Sequence, residues 1–408
     1  MKTIIMAWRN LLRQKRRTLI TLSALIVGLC GVVVFQGYIT SLMRSFRDST
    51  IRSGIGHLQI ARSPEYFEDG EFNPYAYALK DDQKLISALA DHPGVLAAFP
   101  STGFTAIAGK GEKSATLLVK AYPAERMFFA PARGRVSPPA DRFGLGTLLA
   151  GSPPSAGEKD RLVLGETAAR ILAVTPGAVV TLMAVLPDGG LNGRDFTVDA
   201  VYRAPGRDKI FAFTDYATAV DFTGIQGAAV VHVLAKDIGA VPSIAASLPA
   251  DHAVRTWHDL ATYFVQVNTM FTGFLNVIRA IILLVTLFIM GNTMNRIVRE
   301  RMREWGTLRA MGMKKKSILL LVILEGCFQG IVGAALGILL GFGVSALLNV
   351  GGGIPFMADG QRVMVKLLPS GQSIWWNLIL AGLFAAAASF LPGLRAVKLT
   401  PSECLRQV

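Results

Sequence analysis

The residue types that most often carry catalysis or bind metals are dispersed along this chain of 408 residues. The histidines lie at five separate positions, His57, His92, His232, His252 and His258. None belongs to an HExxH motif or a paired-ligand spacing, and no cysteine is close to them, so no zinc site is predicted. No GxSxG nucleophile motif occurs either. The sequence therefore predicts no catalytic residue and no cofactor or metal bound by this chain.

One stretch, from Gly103 to Gly111, approaches the pattern of a phosphate-binding loop. It places five residues instead of four before Gly109 and Lys110, and the Ser or Thr that would bind magnesium is missing. A β-hairpin with its turn at Lys110, Gly111 and Glu112 fits these residues better. The stretch is therefore predicted to be structural.

Two polar residues, Glu325 and Gln329, interrupt a long apolar run. Their spacing of four places them on one face of a helix. A carboxyl group at membrane depth is costly unless it is paired, protonated or in contact with water. Two interpretations remain open, a conformational or proton-linked switch and a structural hydrogen bond to a neighbouring helix.

A charged segment, residues 296–316, joins two of the apolar runs. Its apolar residues recur close to the helical period, at Ile297, Met302, Trp305, Leu308 and Met311, while arginine and glutamate occupy much of the remaining circumference. An amphipathic helix of this kind either docks into a groove of a partner protein or lies at the lipid interface. Periodicity alone does not separate these two interpretations.

The positive charge of the chain is concentrated in three short segments, residues 1–17, 296–316 and 395–408. They hold 17 of the 42 Lys and Arg but only 3 of the 28 Asp and Glu, which accounts for the whole net charge of +14. Because flanks rich in Lys and Arg stay in the cytoplasm, this distribution indicates membrane topology. Residues 44–270 are nearly balanced in charge, which argues against nucleic-acid binding.

Four apolar segments are long enough to span a bilayer as helices, residues 18–43, 271–295, 317–350 and 373–397. Both termini and the 296–316 connector are then cytoplasmic, while residues 44–270 and 351–372 lie outside. Residues 1–17 are predicted to form an amphipathic helix on the inner leaflet, and residues 398–408 a cytoplasmic tail. The predicted fold is four transmembrane α-helices with a large extracytoplasmic domain inserted between the first and second.

The inserted domain is predicted to be mixed α/β, because helical and extended patterns alternate along it. The stretch from Ala130 to Lys159 is rich in Pro, Gly and Ser and is the candidate boundary or mobile loop between two subdomains. The three cysteines, Cys30, Cys327 and Cys404, lie in membrane or cytoplasmic segments. The outer domain is therefore expected to fold without disulfides.

Two patterns concern contacts of the membrane helices. Small residues recur along the third span at Gly326, Gly330, Gly333, Gly337 and Gly341, so this span is predicted to pack closely against another helix. Where the second span begins, an apolar face is formed by Val267, Met270, Phe271 and Phe274. This face is a candidate contact for acyl chains, and ordinary helix packing is the alternative.

Three motifs carry a family resemblance. They are AWRNLLRQKRRT at Ala7 to Thr18, ERMREWGTLRAMGM at Glu300 to Met313, and the closing run from Pro392 to Arg406. In order and spacing they resemble the FtsX-like permease domain that is shared by MacB-type ABC transporters and the lipoprotein-releasing permeases. Trp305 departs from the family pattern, which often has Ile or Val there, but the position stays apolar.

The resemblance implies a permease that works with a separate cytoplasmic ABC ATPase in two copies, which would bind the ATP and magnesium. It also implies a second permease, identical or paralogous, in a dimer. The connector would couple ATPase motion to a helical stem at Trp257 to Met270 and thence to the outer domain. The coupling residues implied are Arg301, Arg303, Glu304, Trp305, Gly306, Thr307, Leu308, Arg309, Met311 and Gly312.

For function, the resemblance implies transport at a bacterial inner membrane by a multi-pass protein. Extraction of a lipoprotein or lipid is the first hypothesis, since GHLQIA at Gly56 to Ala61 follows the first span as in many lipoprotein-releasing permeases. Export of a peptide, toxin or drug with a periplasmic adaptor is the alternative. A third hypothesis, without transport, is activation of a cell-wall hydrolase, as in the divisome FtsX proteins.

Overall fold

The structure is a computed structural model that describes residues 15–70, 74–132, 136–204, 211–249, 251–358, 361–369 and 371–398. The chain forms two compact units. We call residues 1–45 together with 267–408 the helical unit, and residues 46–266 the sheet unit. Each is described by itself.

The helices of the described residues, in chain order, are α1 Lys15–Thr50, α2 Tyr66–Asp69, α3 Asp82–Ala90, α4 Glu166–Leu172, α5 Tyr216–Thr223, α6 Val241–Ala246, α7 Trp257–Leu260, α8 Thr262–Glu300, α9 Met302–Ala310, α10 Lys315–Val350 and α11 Gly371–Lys398. The strands are β1 Leu58–Ala61, β2 Val95–Lys110, β3 Lys113–Tyr122, β4 Met127–Pro131, β5 Phe143–Gly151, β6 Arg161–Gly165, β7 Val179–Val185, β8 Leu191–Arg203, β9 Phe211–Asp215, β10 Val230–Ala235, β11 Ala253–Thr256, β12 Ile354–Ala358 and β13 Gln361–Val365.

Four helices of the described chain, α1, α8, α10 and α11, are long and apolar enough to cross a membrane. Each is longer than the segment predicted for it, because the apolar pattern marks only the part at membrane depth while the backbone hydrogen bonds continue past it. The predicted amphipathic helix falls almost entirely on residues 1–14, which lie outside the described residues, as do residues 399–408 of the predicted tail.

Helix α10 packs through its row of glycines, as predicted. A Cβ atom at Gly326 or Gly330 would collide with α11, at Ser389 and Ala385 respectively. A Cβ atom at Gly337 would lie 2.9 Å from the backbone oxygen of Ile26 in α1. The small residues therefore let α10 approach a neighbour on each side, with α1 running parallel to it and α11 antiparallel.

Residues 351–372, predicted only as an external loop, contain a hairpin. Strands β12 and β13 pair antiparallel, with Ile354 opposite Val365. Beyond the hairpin, the Leu368 N–H donates to the Gly37 carbonyl of α1, and the Asn349 side chain both donates to and accepts from the Leu367 backbone. This loop is therefore fastened to helices α1 and α10.

The described sheet unit is built around one mixed sheet. Ten strands follow in the order β11-β1-β10-β2-β3-β9-β6-β8-β5-β4, and β7 pairs with both β2 and β8. Strand β10 is buried along its whole length, whereas in β7 buried and exposed residues alternate. Helices α4 and α5 cover part of the sheet, where Leu172 and Phe222 pack with Phe104 and Phe196. The mixed α/β prediction is confirmed.

One finer prediction for this unit was wrong. The stretch from Ala130 to Lys159 is not a boundary, because it contains β5, which pairs with β4 and β8 and joins the same sheet. The stem predicted from Trp257 to Met270 is helical, in two parts that Ala261 (φ −90°, ψ 55°) separates, α7 and the start of α8. A capping box between Thr256 and Asp259 begins the short α7.

Candidate functional site

The connector is a short helix, α9, set between two sharp breaks of the backbone. Arg301 leaves helical geometry (φ −102°, ψ 18°) after α8 ends at Glu300. At the other end Gly312 has φ +92°, a left-handed conformation that favours glycine, and the Met313 N–H donates to the Leu308 carbonyl at 3.0 Å. The sequence thus folds the connector into a compact unit between α8 and α10.

The apolar face of α9 is covered by the chain's own helices. Trp305 is fully buried, and it packs with Val298 of α8, with Ile318, Leu321 and Val322 of α10, and with Ala396 of α11. Leu308 packs against the same cluster. The prediction that this face enters a partner's groove or the lipid interface was therefore wrong for Trp305, since periodicity reveals an apolar face but not what covers it. Gly306 is buried as well.

The opposite face of α9 remains open. It presents Arg303, Glu304 and Thr307, followed by Met311 and Gly312 after the helix ends. Met311 is 75% exposed, although it belongs to the apolar set. Arg309 is partly buried and approaches the Val397 carbonyl of α11. Of the ten predicted coupling residues, five therefore form the accessible surface, namely Arg303, Glu304, Thr307, Met311 and Gly312.

Arg301 links the connector to the third span. Its guanidinium contacts the Glu325 carboxylate at 3.3 and 3.4 Å, and its Nε donates to Glu304 at 2.7 Å. The guanidinium also lies 4.8 Å from the centre of the Trp305 ring, a cation–π contact. The side chains of Arg301 and Glu325 are only 11% and 4% exposed. We call Arg301, Glu304, Trp305 and Glu325 the connector clamp.

Within the described residues, the connector clamp gives Glu325 a charged partner, Arg301. This pairing agrees with the structural interpretation of Glu325 and does not require a proton-linked switch. Gln329, one turn further along α10, is fully buried, and its Oε1 atom has no hydrogen-bond partner among the described residues. The two side chains share a face, as their spacing predicts.

The candidate substrate contacts at the start of the second span differ in exposure. Met270 and Phe274 are more than half exposed, whereas Val267 and Phe271 are partly buried. Exposed apolar residues continue along α8 at alternating spacings of three and four, at Val277, Ile281, Leu284 and Phe288. This spacing is typical of a helix face that packs against another helix.

One charged residue of the membrane helices did not enter the sequence prediction. Arg279 lies within the apolar part of α8, is partly buried, and its Nε atom is buried without a hydrogen-bond partner among the described residues. A charged side chain inside a predicted span is itself a functional signal. The residue type alone was therefore sufficient to single it out.

The described part of the sheet unit contains no group of three or more potential metal ligands. His232 lies in β10 between the Ile55 carbonyl at 3.1 Å from Nδ1 and the Ser101 hydroxyl at 2.8 Å from Nε2. Because a carbonyl only accepts, these partners assign the proton of the neutral ring to Nδ1. Burial lowers the pKa of His232 to about 4. The Gly103–Gly111 stretch forms the hairpin of β2 and β3.

Four apolar helices, an α/β unit inserted between the first and second, and a packed connector between the second and third define this chain as a multi-pass membrane protein. Comparison with known proteins identifies the type. Residues 18–250 match the MacB-like periplasmic core domain, and residues 276–401 match the FtsX-like permease C-terminal domain. The chain belongs to this MacB/FtsX family of ABC transporter permeases.

Individual relatives are similar over part of their length. An uncharacterized ABC transporter permease of Methanocaldococcus jannaschii is 33% identical over 160 residues, which are 38% of this chain and 38% of that protein. The macrolide export ATP-binding/permease protein MacB of Brucella abortus is 33% identical over 134 residues, 33% of this chain and 19% of that protein. The chain thus covers less than two fifths of these curated relatives.

Among solved structures, the periplasmic region of MacB from Actinobacillus actinomycetemcomitans aligns with 52% of this chain and 94% of its own, at 14% identity and a TM-score of 0.36. The extracellular domain of the transporter YknZ from Gram-positive bacteria aligns with 48% of this chain at 11% identity and a TM-score of 0.32.

Proposed function

We propose that an ABC ATPase subunit drives this permease through the exposed face of α9. The observation that carries the proposal is the division of α9 into two faces. One face is held by α8, α10 and α11 around Trp305, and the other presents Arg303, Thr307 and Met311. A force applied to the open face is therefore transmitted to three membrane helices at once.

The connector clamp makes this coupling stiff. Arg301 stands where α8 ends, and its partners lie on α9 and α10. Displacement of α9 relative to α8 or α10 would separate a buried charge pair. This is costly, because the unpaired charges would remain buried away from water. The three helices are therefore expected to move together, and α8 continues into the chain of the sheet unit, which would receive the motion.

The orientation in the membrane follows from charge. Residues 296–316 carry eight Lys and Arg against two Glu, which supports a cytoplasmic connector and cytoplasmic termini, with the sheet unit outside. We place the protein in a bacterial inner membrane, with the ATPase beneath it in two copies binding ATP and magnesium. Labelling of single cysteines at Gly189 and Lys316 with an impermeant reagent would test the orientation, because only the first is expected to react.

A second permease, identical or paralogous, completes the assembly that we propose. The exposed row from Met270 to Phe288 supports this arrangement, because its spacing of three and four matches the seam of two packed helices. At the outer end of the row, Met270 and Phe274 offer an apolar surface to acyl chains. The substrate class that we favour is therefore a lipid or lipoprotein, which the permease would extract from the membrane.

Export with a periplasmic adaptor is the second candidate. It is supported by the match of residues 18–250 to the MacB-like periplasmic core domain and by the name of the Brucella relative, a macrolide export protein.

The coupling is tested by charged substitutions on the two faces of α9. Met311→Asp is expected to abolish co-purification of the ATPase, because a charge enters the apolar part of the docking surface. It is expected to change the free energy of unfolding by no more than about 0.5 kcal/mol, since Met311 is exposed. Trp305→Asp is instead expected to cost at least about 3 kcal/mol of stability, because it breaks the cluster beneath α9.

The matched control is Met364→Asp, the same substitution at an exposed methionine in β13, which is expected to keep both the ATPase and the stability. If Met311→Asp retained the ATPase while Trp305→Asp lost it without loss of stability, the buried face would be the docking surface. The proposed coupling would then be wrong.

A further inference from the structure

Arg279 requires an anionic partner that its own surroundings do not supply. It lies on α8, 17 residues after the first residue of the helix and 21 before the last, and thus about 25 Å and about 30 Å from the two ends. Its Nε atom is buried, and no hydrogen bond or ion pair to Arg279 occurs among the described residues. A guanidinium at membrane depth is costly without a counter-ion.

The acidic residues in the described part of the helical unit are Glu300, Glu304 and Glu325. All three lie at the connector end, and the latter two contact Arg301. Glu300 is 21 residues from Arg279, or about 30 Å along the helix. A second copy of this chain would carry the same residues, so an identical permease brings no nearer carboxylate from the described residues either.

The helix face that carries Arg279 continues into an apolar cavity. Helical spacing places Ile282, Thr286 and Ile289 on this face, and they line a cavity of about 100 Å³ together with Ala24, Leu25 and Gly28 of α1. The Thr286 hydroxyl donates to the Ile282 carbonyl at 2.7 Å and is therefore satisfied within its own helix. An apolar cavity of this kind does not hold water well.

The gap between α1 and α8 widens towards Arg279. A Cβ atom at Gly28 would lie 3.2 Å from Cγ2 of Ile282, whereas one at Gly31 would meet no atom within 4 Å. The two helices run in opposite directions, because α10 is parallel to α1 and returns from the connector that ends α8. Gly31, one turn beyond Gly28, is therefore level with Arg279, one turn before Ile282.

We propose that Arg279 and this cavity form a binding site for an anionic phospholipid. The guanidinium would pair with the phosphate, which it recognises through two parallel N–H donors, and an acyl chain would enter the cavity between α1 and α8. The site differs from the exposed row at Met270 and Phe274, and occupancy needs neither ATP nor an ATPase. It can therefore be tested independently of the coupling proposed above.

The test uses the full chain in bilayers of phosphatidylcholine with a small fraction of phosphatidylglycerol. A photoreactive p-benzoylphenylalanine replaces Val285, an exposed residue at the cavity, and mass spectrometry counts the lipid adducts. We expect phosphatidylglycerol adducts about five-fold above its mole fraction, the factor that one basic side chain contributes towards anionic lipid. The same group at Leu383, exposed on α11 and part of neither the cavity lining nor the exposed row of α8, reports the bulk ratio.

Two variants assign the effect to the charge. Arg279→Gln is expected to reduce the enrichment at Val285 to the bulk ratio, and Arg279→Lys to retain most of it, which also excludes misfolding as the cause. Inorganic phosphate at millimolar concentration is expected to leave the enrichment unchanged. A bulk ratio in the parent protein, enrichment that survives Arg279→Gln, or displacement by free phosphate would each overturn the lipid site.

Discussion

At the scale of single residues, Arg301 decides how the connector is held. It makes three different contacts, with carboxylates on α9 and α10 and with the face of Trp305, while remaining 11% exposed. The contact with Glu325 joins residues 24 positions apart, and neither helical periodicity nor hydropathy reports a pairing at that separation. The sequence indicates that a carboxyl group at Glu325 needs a partner, but only the fold shows which cation it meets.

We predict that Arg301 and Glu325 contribute non-additively to stability. Arg301→Met is expected to cost about 3–5 kcal/mol, because it leaves Glu325 buried and unpaired. Glu325→Gln is expected to cost less, because Arg301 keeps its contact with Glu304 at 2.7 Å. The double variant is expected to be more stable than the sum of the single effects predicts, by about 0.5–3 kcal/mol. Denaturation of the purified full chain measures these differences.

An exposed ion pair within α8 provides the control for this double-mutant cycle. Arg296 approaches Glu300 at 3.5 Å, but the Arg296 side chain is 78% exposed, so Arg296→Met is expected to change stability by less than about 1 kcal/mol. Strict additivity of the Arg301 and Glu325 substitutions would contradict the clamp as a coupled unit.

At the scale of elements, local patterns predicted more than long-range ones. The hairpin of β2 and β3 and the glycine face of α10 follow from turn residues and from spacing within a few residues. Strands such as β5 were missed, because its Gly-rich sequence has weak alternation and its pairing with β8 joins residues about 50 positions apart. The cover over Trp305 could not be predicted either, since any apolar partner satisfies an amphipathic pattern.

Two glycines of α10 test how closely this helix packs, because their substitutions by alanine are expected to change stability in opposite directions. Gly330→Ala would bring a Cβ atom against Ala385 and to 2.9 Å from the Ala381 carbonyl oxygen, so we expect a loss of about 1–3 kcal/mol. Gly343→Ala, on the same helix, meets no atom within 4 Å and is expected to stabilise by up to about 1 kcal/mol through helix propensity. Thermal denaturation of the two variants compares them directly, and equal losses would mean that α10 and α11 are not in close contact.

At the scale of the whole molecule, the proposed mechanism separates force input at the connector from substrate contact on α8. The charged connector lies at one end of α8, α10 and α11, while the exposed apolar row occupies the length of α8 from Met270 to Phe288. The sequence was sufficient for the arrangement of four apolar helices with an inserted α/β unit, because apolar length and the alternation of helical and extended patterns are local signals. It was not sufficient for the substrate, because an exposed apolar row is equally suited to lipid, to an acyl chain or to another helix.

We predict that photocrosslinking from two positions of the exposed apolar row on α8 will identify the substrate class. In cells that contain the full chain and its ATPase, p-benzoylphenylalanine at Phe274 is expected to trap a lipid-modified product, because this exposed side chain stands at the outer end of the second span. The same group at Phe288, also exposed but nearer the connector, is expected to trap the second permease instead. Phe274→Ser is expected to weaken capture by about 1.5–3 kcal/mol, the value of one buried aromatic side chain, while basal ATP hydrolysis stays unchanged.

An unlipidated peptide or drug trapped at Phe274 would favour export with an adaptor. If both positions trapped only the second permease and Phe274→Ser lost assembly, the row would be a packing seam, and lipid extraction would be refuted.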